Sequence, residues 1–375
     1  MTDPIDLPAH PRILVVALRR LGDVLLTTPL IRSLRRAWPL AKIDILVFSD
    51  TAAILDGNPD IDDVLHIPQR ASLAESLSLA ARLWRGYDLA VTTQAGDRPT
   101  FLAAIAGRRR VGPVDNRLIG WIKQLLLDRH VPMSEGVHRV EDVLSLARVL
   151  GIAPVAEVVC PRAAAPRPEA LPAGPYAVIH AAPMFRYKQW HAEGWRAVAS
   201  HLAGQGIAVV ASGGPGEAER RYLDAIWRDT GVRRLDGKLS WPVLTATLAG
   251  ARVFVGPDTS VTHLAAASGC PTVALFGPTD PRLWGPWPAS GLATPWEATA
   301  ATAQQRGNVW LPQNPLPCQP CQHEGCLRQL QSYSRCLDEL AAEPVIAAVN
   351  SALASGGLAK IRPTPPFPDV VNPPR

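Results

Sequence analysis

Charge is scarce in this chain. Asp, Glu, Lys and Arg make up 19% of its 375 residues and the net charge is only +5, against the roughly 25% charged residues usual in soluble domains. The balance suits an anionic ligand or a membrane surface. It offers no concentrated basic footprint for nucleic acid, and no such partner is expected. Long hydrophobic runs are missing as well. No uninterrupted apolar stretch approaches the ~20 residues that span a bilayer, and Met1–His10 lacks the basic-then-apolar order of a secretory leader. The expected location is therefore cytoplasmic. Arg32, Arg35, Arg36 and Trp38, or Arg108–Arg110, could touch a membrane surface peripherally; the alternative for each cluster is a solvated helix face. Several signatures are also absent: GxSxG, HExxH, GxGxxG and the Walker loop. Their absence argues against a nucleophile-elbow hydrolase, a zincin, a dinucleotide enzyme and a P-loop NTPase.

What is present is an apolar content of 47%, enough for full cores, over a length that fits two domains. Arg12–Leu18 reads as a strand buried on both faces, followed by the turn Arg19–Asp23 and an amphipathic helix over Val24–Trp38. Strand and helix then alternate to a helix at His138–Leu150. After a Pro/Ala-rich linker, Pro161–Pro175, the alternation restarts at Tyr176–His180. Such alternation predicts doubly wound α/β units with parallel sheets. We divide the chain into 1–165 and 166–361, with a cysteine-rich insertion at 314–337 and a disordered Pro-rich tail at 362–375. Two units facing each other leave a cleft between them for a ligand.

The chain is organised around Val253–Pro281. It reads as strand, turn, short helix, strand and a second turn. Ligands of parallel sheets sit outside the carboxyl ends of the strands. Both Asp258-Thr259-Ser260 and Gly277-Pro278-Thr279-Asp280 lie there, and the free N–H groups opening the helix make an anion site. The segment either holds a phosphate or is an ordinary capped helix.

Other residues fall at carboxyl ends too. Asp23, after Gly22, is placed as a general base for a substrate hydroxyl or as the cap of the helix after it. Lys188 is a cation for a leaving phosphate or a surface lysine. Gly213 and Gly214 form a turn that a ligand can approach closely, and Glu217 or Glu219 either holds a ribose diol or complements a helix dipole. Trp190, Trp284 and Trp287 lie near the same loops, as sugar platforms or as core. Asp60-Ile61-Asp62 matches DxD but follows Asn58-Pro59, so it reads as a turn. Cys318, Cys321, Cys326 and Cys336 fall within nineteen residues. In a reducing compartment they read as a structural zinc or iron site, with His323 as a substitute ligand, and four thiolates leave no open position for catalysis. The alternative is a reduced cluster. Cys160 and Cys270 read as buried apolar residues.

Taken together, the motifs resemble one family. Ile13–Pro29, ILVVALRRLGDVLLTTP, resembles the opening motif of the ADP-heptose:lipopolysaccharide heptosyltransferases, glycosyltransferase family 9. Asp258–Leu264 followed by Ala274–Pro281 is similar to the family's C-terminal signature. The Lys188-Gln189-Trp190 loop and the Gly-rich turn before Glu217 match in order. The resemblance implies a GT-B fold, with the acceptor on the first domain and the nucleotide-sugar donor on the second. It implies inversion at the anomeric carbon and no cofactor for catalysis. Asp23 would be the base, Lys188 would balance charge on departing ADP, Thr259-Ser260 would hold the pyrophosphate, and Asp258 and His263 would shape the donor site. The expected partners are an ADP-sugar and a lipopolysaccharide core acceptor, at the inner membrane. Gly291–Gln313 and the cysteine cluster lie outside the family's minimal core, which leaves other glycans or a protein as acceptors. A UDP- or GDP-sugar hexosyltransferase and a non-catalytic nucleotide-sugar-binding scaffold are the remaining alternatives.

Overall fold

In a computed structural model describing residues 3–115, 120–133, 136–163 and 168–355, strand β1 (Arg12–Val16) is buried at every position after Arg12. A strand covered on both faces sits inside a parallel sheet. Its sheet comprises β1, β2 (Lys42–Phe48), β3 (Asp63–Ile67), β4 (Tyr87–Thr92), β5 (Gly107–Val114) and β6 (Arg129–Pro132), all parallel, in the order β3-β2-β1-β4-β5-β6. The side-chain period of two divides each strand between two cores. Ile13, Val15, Ile43 and Ile45 face α1 (Leu21–Leu25), α2 (Thr28–Ala37) and α6 (Arg139–Val149). Leu14, Val16, Leu46 and Ala90 face α3 (Leu73–Leu83) and α4 (Asp97–Ala106). A further helix, α5 (Gly120–Leu126), lies beside α4 and β5.

The second sheet repeats the plan. It holds β7 (Tyr176–Ile179), β8 (Ala208–Ala211), β9 (Arg233–Arg234), β10 (Phe254–Pro257), β11 (Thr272–Leu275), β12 (Gln304–Arg306) and β13 (Val309–Leu311), in the order β12-β13-β11-β10-β7-β8-β9. Read from β9, its first five strands run 3-2-1-4-5, the order of the first sheet. On one face pack α7 (Ala192–Gly204), α8 (Glu217–Trp227) and, near the chain's end, α13 (Ala342–Ser355). On the other lie α9 (Trp241–Ala249) and α10 (Ser260–Ala267), whose Leu244, Leu248, Val261 and Leu264 belong to the same apolar cluster as Ile13 and Val15 of the first sheet. Short helices α11 (Pro281–Trp284) and α12 (Arg335–Asp338) complete the chain. The two inner faces thus share one core, and α1 packs directly on α10.

The predicted helix over Val24–Trp38 is two helices. Helix α1 starts three residues earlier, at Leu21, and stops at Leu25. Pro29 then stands in the first turn of α2, where its missing N–H costs nothing but where a continuous helix would have lost a bond. The hairpin β12–β13, antiparallel within Gly291–Gln313, escaped the sequence reading, as did β6 and α5. Strands of three or four residues and a helix of seven are too short to show a period. The helix expected near Ala52–Asp56 is a 3-10 segment over Ser49–Leu55. The proposed boundary at 165/166 and the tail 362–375 lie outside the described residues. The approach to the boundary is ordered: Val155 and Val159 N–H donate to Ser33 Oγ and Thr28 Oγ1 at 2.8 Å each, and Arg162 N–H to Asp56 O.

Candidate active site

In a doubly wound sheet, the strand order reverses at one point, and the crevice there is where ligands bind. The reversal falls between β1 and β4 in the first sheet and between β7 and β10 in the second. The loops leaving β1, β7 and β10 carry Asp23, Lys188 and Asp258, and the α1–α10 contact brings them together.

Asp23 is not a cap. The cap of α1 is Arg20, which makes no side-chain capping bond, and Asp23 lies in the first turn. Its Oδ1 accepts from Arg19 Nη1 at 3.4 Å and stands 3.8 Å from Arg139 Nε. The side chain keeps 13% exposure. Gly22 brings α1 close to the start of α10: a Cβ there would stand 3.6 Å from His263 Cδ2 and 3.7 Å from Ser260 Cα. Arg139 was missed by the sequence reading. It is 5% exposed, and its guanidinium donates to Thr93 O at 3.0 Å and to Asp142 at 2.6 Å, while Nε has no hydrogen-bond partner. A signal for it existed. A cation at the first position of a helix opposes the dipole, so Arg139 needed carboxylates, and Asp142 and Asp23 are those.

Across the cleft, Lys188 Nζ donates to Asp258 Oδ2 at 2.5 Å. Asp258 is 8% exposed. Burial alone would raise its carboxyl, but the Lys188 ammonium, His263 and hydrogen bonds from Lys188 and Thr279 outweigh it and hold the group below the usual range. His263 Nε2 lies 3.8 Å from Asp258 Oδ1. Burial, with the Lys188 ammonium, pulls the His263 pKa down against the opposing carboxylates of Asp258 and Asp23. Its Nδ1 is buried without a partner.

Thr259 caps α10, with its side chain accepting from Thr262 N–H, and Ser260 is the first helical residue. The opening N–H groups of a helix have no intrahelical acceptor, so this end presents donors and a positive dipole toward Gly22. Gly277, Pro278 and Thr279 follow β11, the neighbour of β10. At Gly277 there is no room for a side chain: a Cβ would stand 2.7 Å from Leu337 Cγ.

The Gly213-Gly214 turn follows β8, on the far side of β7. Gly214 N–H donates to Glu219 Oε1 at 2.6 Å, so Glu219 holds the turn, and burial raises its pKa. Glu217 points outward, 78% exposed, with Arg221 3.9 Å away. Of the tryptophans, Trp190 and Trp287 are 2% exposed and belong to the core; Trp190 Nε1 donates to Leu340 O and Trp287 Nε1 to Ala156 O. Trp284 is half-buried. Asp60 and Asp62 are structural, binding Arg32 at 2.7 Å and Arg35 at 2.6 Å. Those two arginines are therefore ion-paired and Arg32 is buried, which removes them from any free basic face.

Cys318, Cys321, Cys326 and Cys336 line one cavity of about 580 Å³ beside Pro278. Among the described residues no group of three or more His, Cys, Asp and Glu side chains is placed to hold a metal ion. Cys318 and Cys326 open to solvent, whereas Cys336 is buried and its thiol is pushed up to about 12 by burial and by the other three cysteines. Cys160 and Cys270 are buried, as the sequence implied. No described helix is long and apolar enough to cross a membrane.

Two doubly wound units of one strand order, packed face to face over a shared core, have the GT-B architecture. The family model for glycosyltransferase family 9 (heptosyltransferase) matches residues 76–331, and the chain belongs to that family. It is 31% identical over 286 residues to lipopolysaccharide heptosyltransferase 3 of Escherichia coli, covering 71% of this chain and 83% of that protein. Among solved structures it is similar to a family 9 glycosyl transferase from Veillonella parvula, with TM-score 0.74, 19% identity and coverage of 94% of this chain and 100% of that one. It is similar also to the E. coli heptosyltransferase WaaC solved with ADP, with TM-score 0.68, 23% identity and coverage of 91% and 99%. The protein is thus a glycosyltransferase of the heptosyltransferase family.

Proposed function

We propose that this enzyme transfers a heptose from ADP-heptose to a lipopolysaccharide core acceptor with inversion at the anomeric carbon. The observation that carries the reading is the approach of Gly22-Asp23 to His263 and the start of α10 across the α1–α10 contact, where His263 adjoins Asp258 and Asp258 holds Lys188. In this reading the acceptor hydroxyl lies against the first unit. The Asp23 carboxylate takes its proton as the oxygen attacks the anomeric carbon, and Arg19 and Arg139 orient that carboxylate. The bond to the β-phosphate breaks and ADP leaves. The charge growing on its phosphate meets the N–H groups of Ser260 and Val261 and the Lys188 ammonium. Asp258 fixes that lysine until the donor arrives. Gly213, Gly214, Gly277, Pro278 and Thr279 border the donor from neighbouring strand ends, and the reading needs no metal in the chemical step. The family name and the WaaC complex with ADP support an adenine nucleotide.

Donor binding tests this directly. A ligand that binds only the folded state stabilises it by mass action, by about 2.7 kcal/mol at a hundred times Kd. ADP is expected to raise Tm in a thermal-shift titration, with UDP and GDP leaving it in place. Preference for UDP or GDP would overturn the heptose assignment, and no response to any would favour a scaffold. A structural zinc or iron at the four cysteines rests on the donor set and their shared cavity alone. Elemental analysis of anaerobically purified protein is expected to give about one metal per chain, lost in Cys318→Ser/Cys321→Ser; metal-free protein ends that reading.

A further inference from the structure

The cysteine-rich segment grips two loops of the second unit, the one after β7 and the one after β11. Gln319 Nε2 donates to Gly277 O at 2.9 Å, and Gln322 N–H to Pro278 O at 2.8 Å. At the other end of the segment, Ser334 Oγ donates to Tyr187 O at 2.5 Å, in a fully buried bond. Tyr187 immediately precedes Lys188. Further along, Leu340 O accepts from Trp190 Nε1 at 2.8 Å and is 3.0 Å from His191 Nε2. Between these anchors, Leu337 and Cys336 fill the space where Gly277 would carry a side chain, at 2.7 and 3.2 Å. Residues 319–340 therefore bond to the loop after β7 and to the loop after β11, which lie on the two sides of β10.

Loops need such partners. Gly277, Pro278 and Tyr187 present carbonyls outside the sheet ladder, and a buried carbonyl without a donor costs about 1–3 kcal/mol. The segment supplies those donors and fixes the two backbones relative to each other. Loops held in one arrangement before the ligand arrives bind it without a further ordering cost.

We propose that residues 319–340 are a brace for the diphosphate end of the donor site, with Gln319 and Ser334 as positioning residues that act through Gly277 and Lys188. The proposal rests on the donor-site reading above. The role is specific to phosphate recognition: the brace bears on the loops of Lys188 and Thr279, and it makes no bond to the Gly213-Gly214 turn.

The test is calorimetric titration of the full chain with ADP, and with adenosine by competition against ADP. Gln319→Glu keeps the shape and the acceptor for Leu316 N–H but loses the donor to Gly277 O. Ser334→Ala loses the donor to Tyr187 O. Each is expected to raise the ADP Kd about three- to ten-fold, the range of one lost hydrogen bond, with the adenosine Kd unchanged. Unchanged ADP affinity in both variants overturns the brace, and so does a parallel loss for ADP and adenosine, which marks general loosening. If Ser334→Ala does not fold, Gln319→Glu, at a half-buried position, decides alone. Wild-type protein that ignores ADP overturns instead the donor-site reading beneath it.

Discussion

Asp23→Asn is expected to lower turnover by about 10²- to 10⁴-fold, the contribution of a positioned general base, while ADP binds within about two-fold of wild type. The amide keeps the size of the carboxylate and its place in the first turn of α1, so the contact with α10 survives. What it loses is the capacity to accept the acceptor's proton. Arg139 makes the prediction sharper. Its Nε has no hydrogen-bond partner and faces Asp23 at 3.8 Å, so it holds the carboxylate without consuming it. The measurement is ADP release from ADP-heptose with lipopolysaccharide core, beside calorimetric ADP titration. Turnover within about ten-fold of wild type would remove Asp23 as the base.

Lys188→Ala is expected to act twice. The rate falls by about 10²- to 10³-fold, as for other groups that meet developing charge in a transition state. Stability falls as well, because Asp258 is left buried without its cation, a loss of about 3 kcal/mol. The sign with pH follows from the depressed Asp258 carboxyl. A group whose folded pKa lies below its unfolded value contributes stability above the unfolded pKa, about 3.9, and loses it as pH falls through the folded pKa. The stability gap between wild type and variant is therefore full near neutral pH and closes in acid. Lys188→Ala/Asp258→Asn should recover most of the Tm and none of the rate. A double variant that recovers rate would place Lys188 in a structural role alone.

Much of the site was legible because it sits where local chemistry speaks. Asp258-Thr259-Ser260 is a capping sequence between an apolar strand and an alanine-rich helix, and the structure has that cap at Thr259. The Gly22-Asp23 turn follows an apolar strand. Other assignments were decided by geometry that no local pattern carries. Glu219, offered as a ribose ligand, accepts from Gly214 N–H and so holds the turn as well. Glu217 faces solvent because a helix turns side chains two residues apart to different faces. Trp190 and Trp287 are core because each N–H found a backbone carbonyl on a distant segment. The cysteines line one cavity, yet Cys336 is buried against Gly277 while Cys318 and Cys326 stay open to solvent.

The sequence by itself determined the fold class and most of the longer elements, since apolar runs of strand length alternating with helical patterns admit few arrangements other than parallel sheets covered on both faces. It also determined which loops leave the carboxyl ends of strands. Only the tertiary structure decided what those residues meet. Arg139 reaches Asp23 from 116 positions away in the chain, Lys188 reaches Asp258 from 70, and Ser334 reaches Tyr187 from 147. Contacts of that span have no period and no motif. They exist because each sheet sets strands distant in sequence side by side: β7 adjoins β10, α6 packs back onto the face of β1, and the shared inner core brings α1 onto α10.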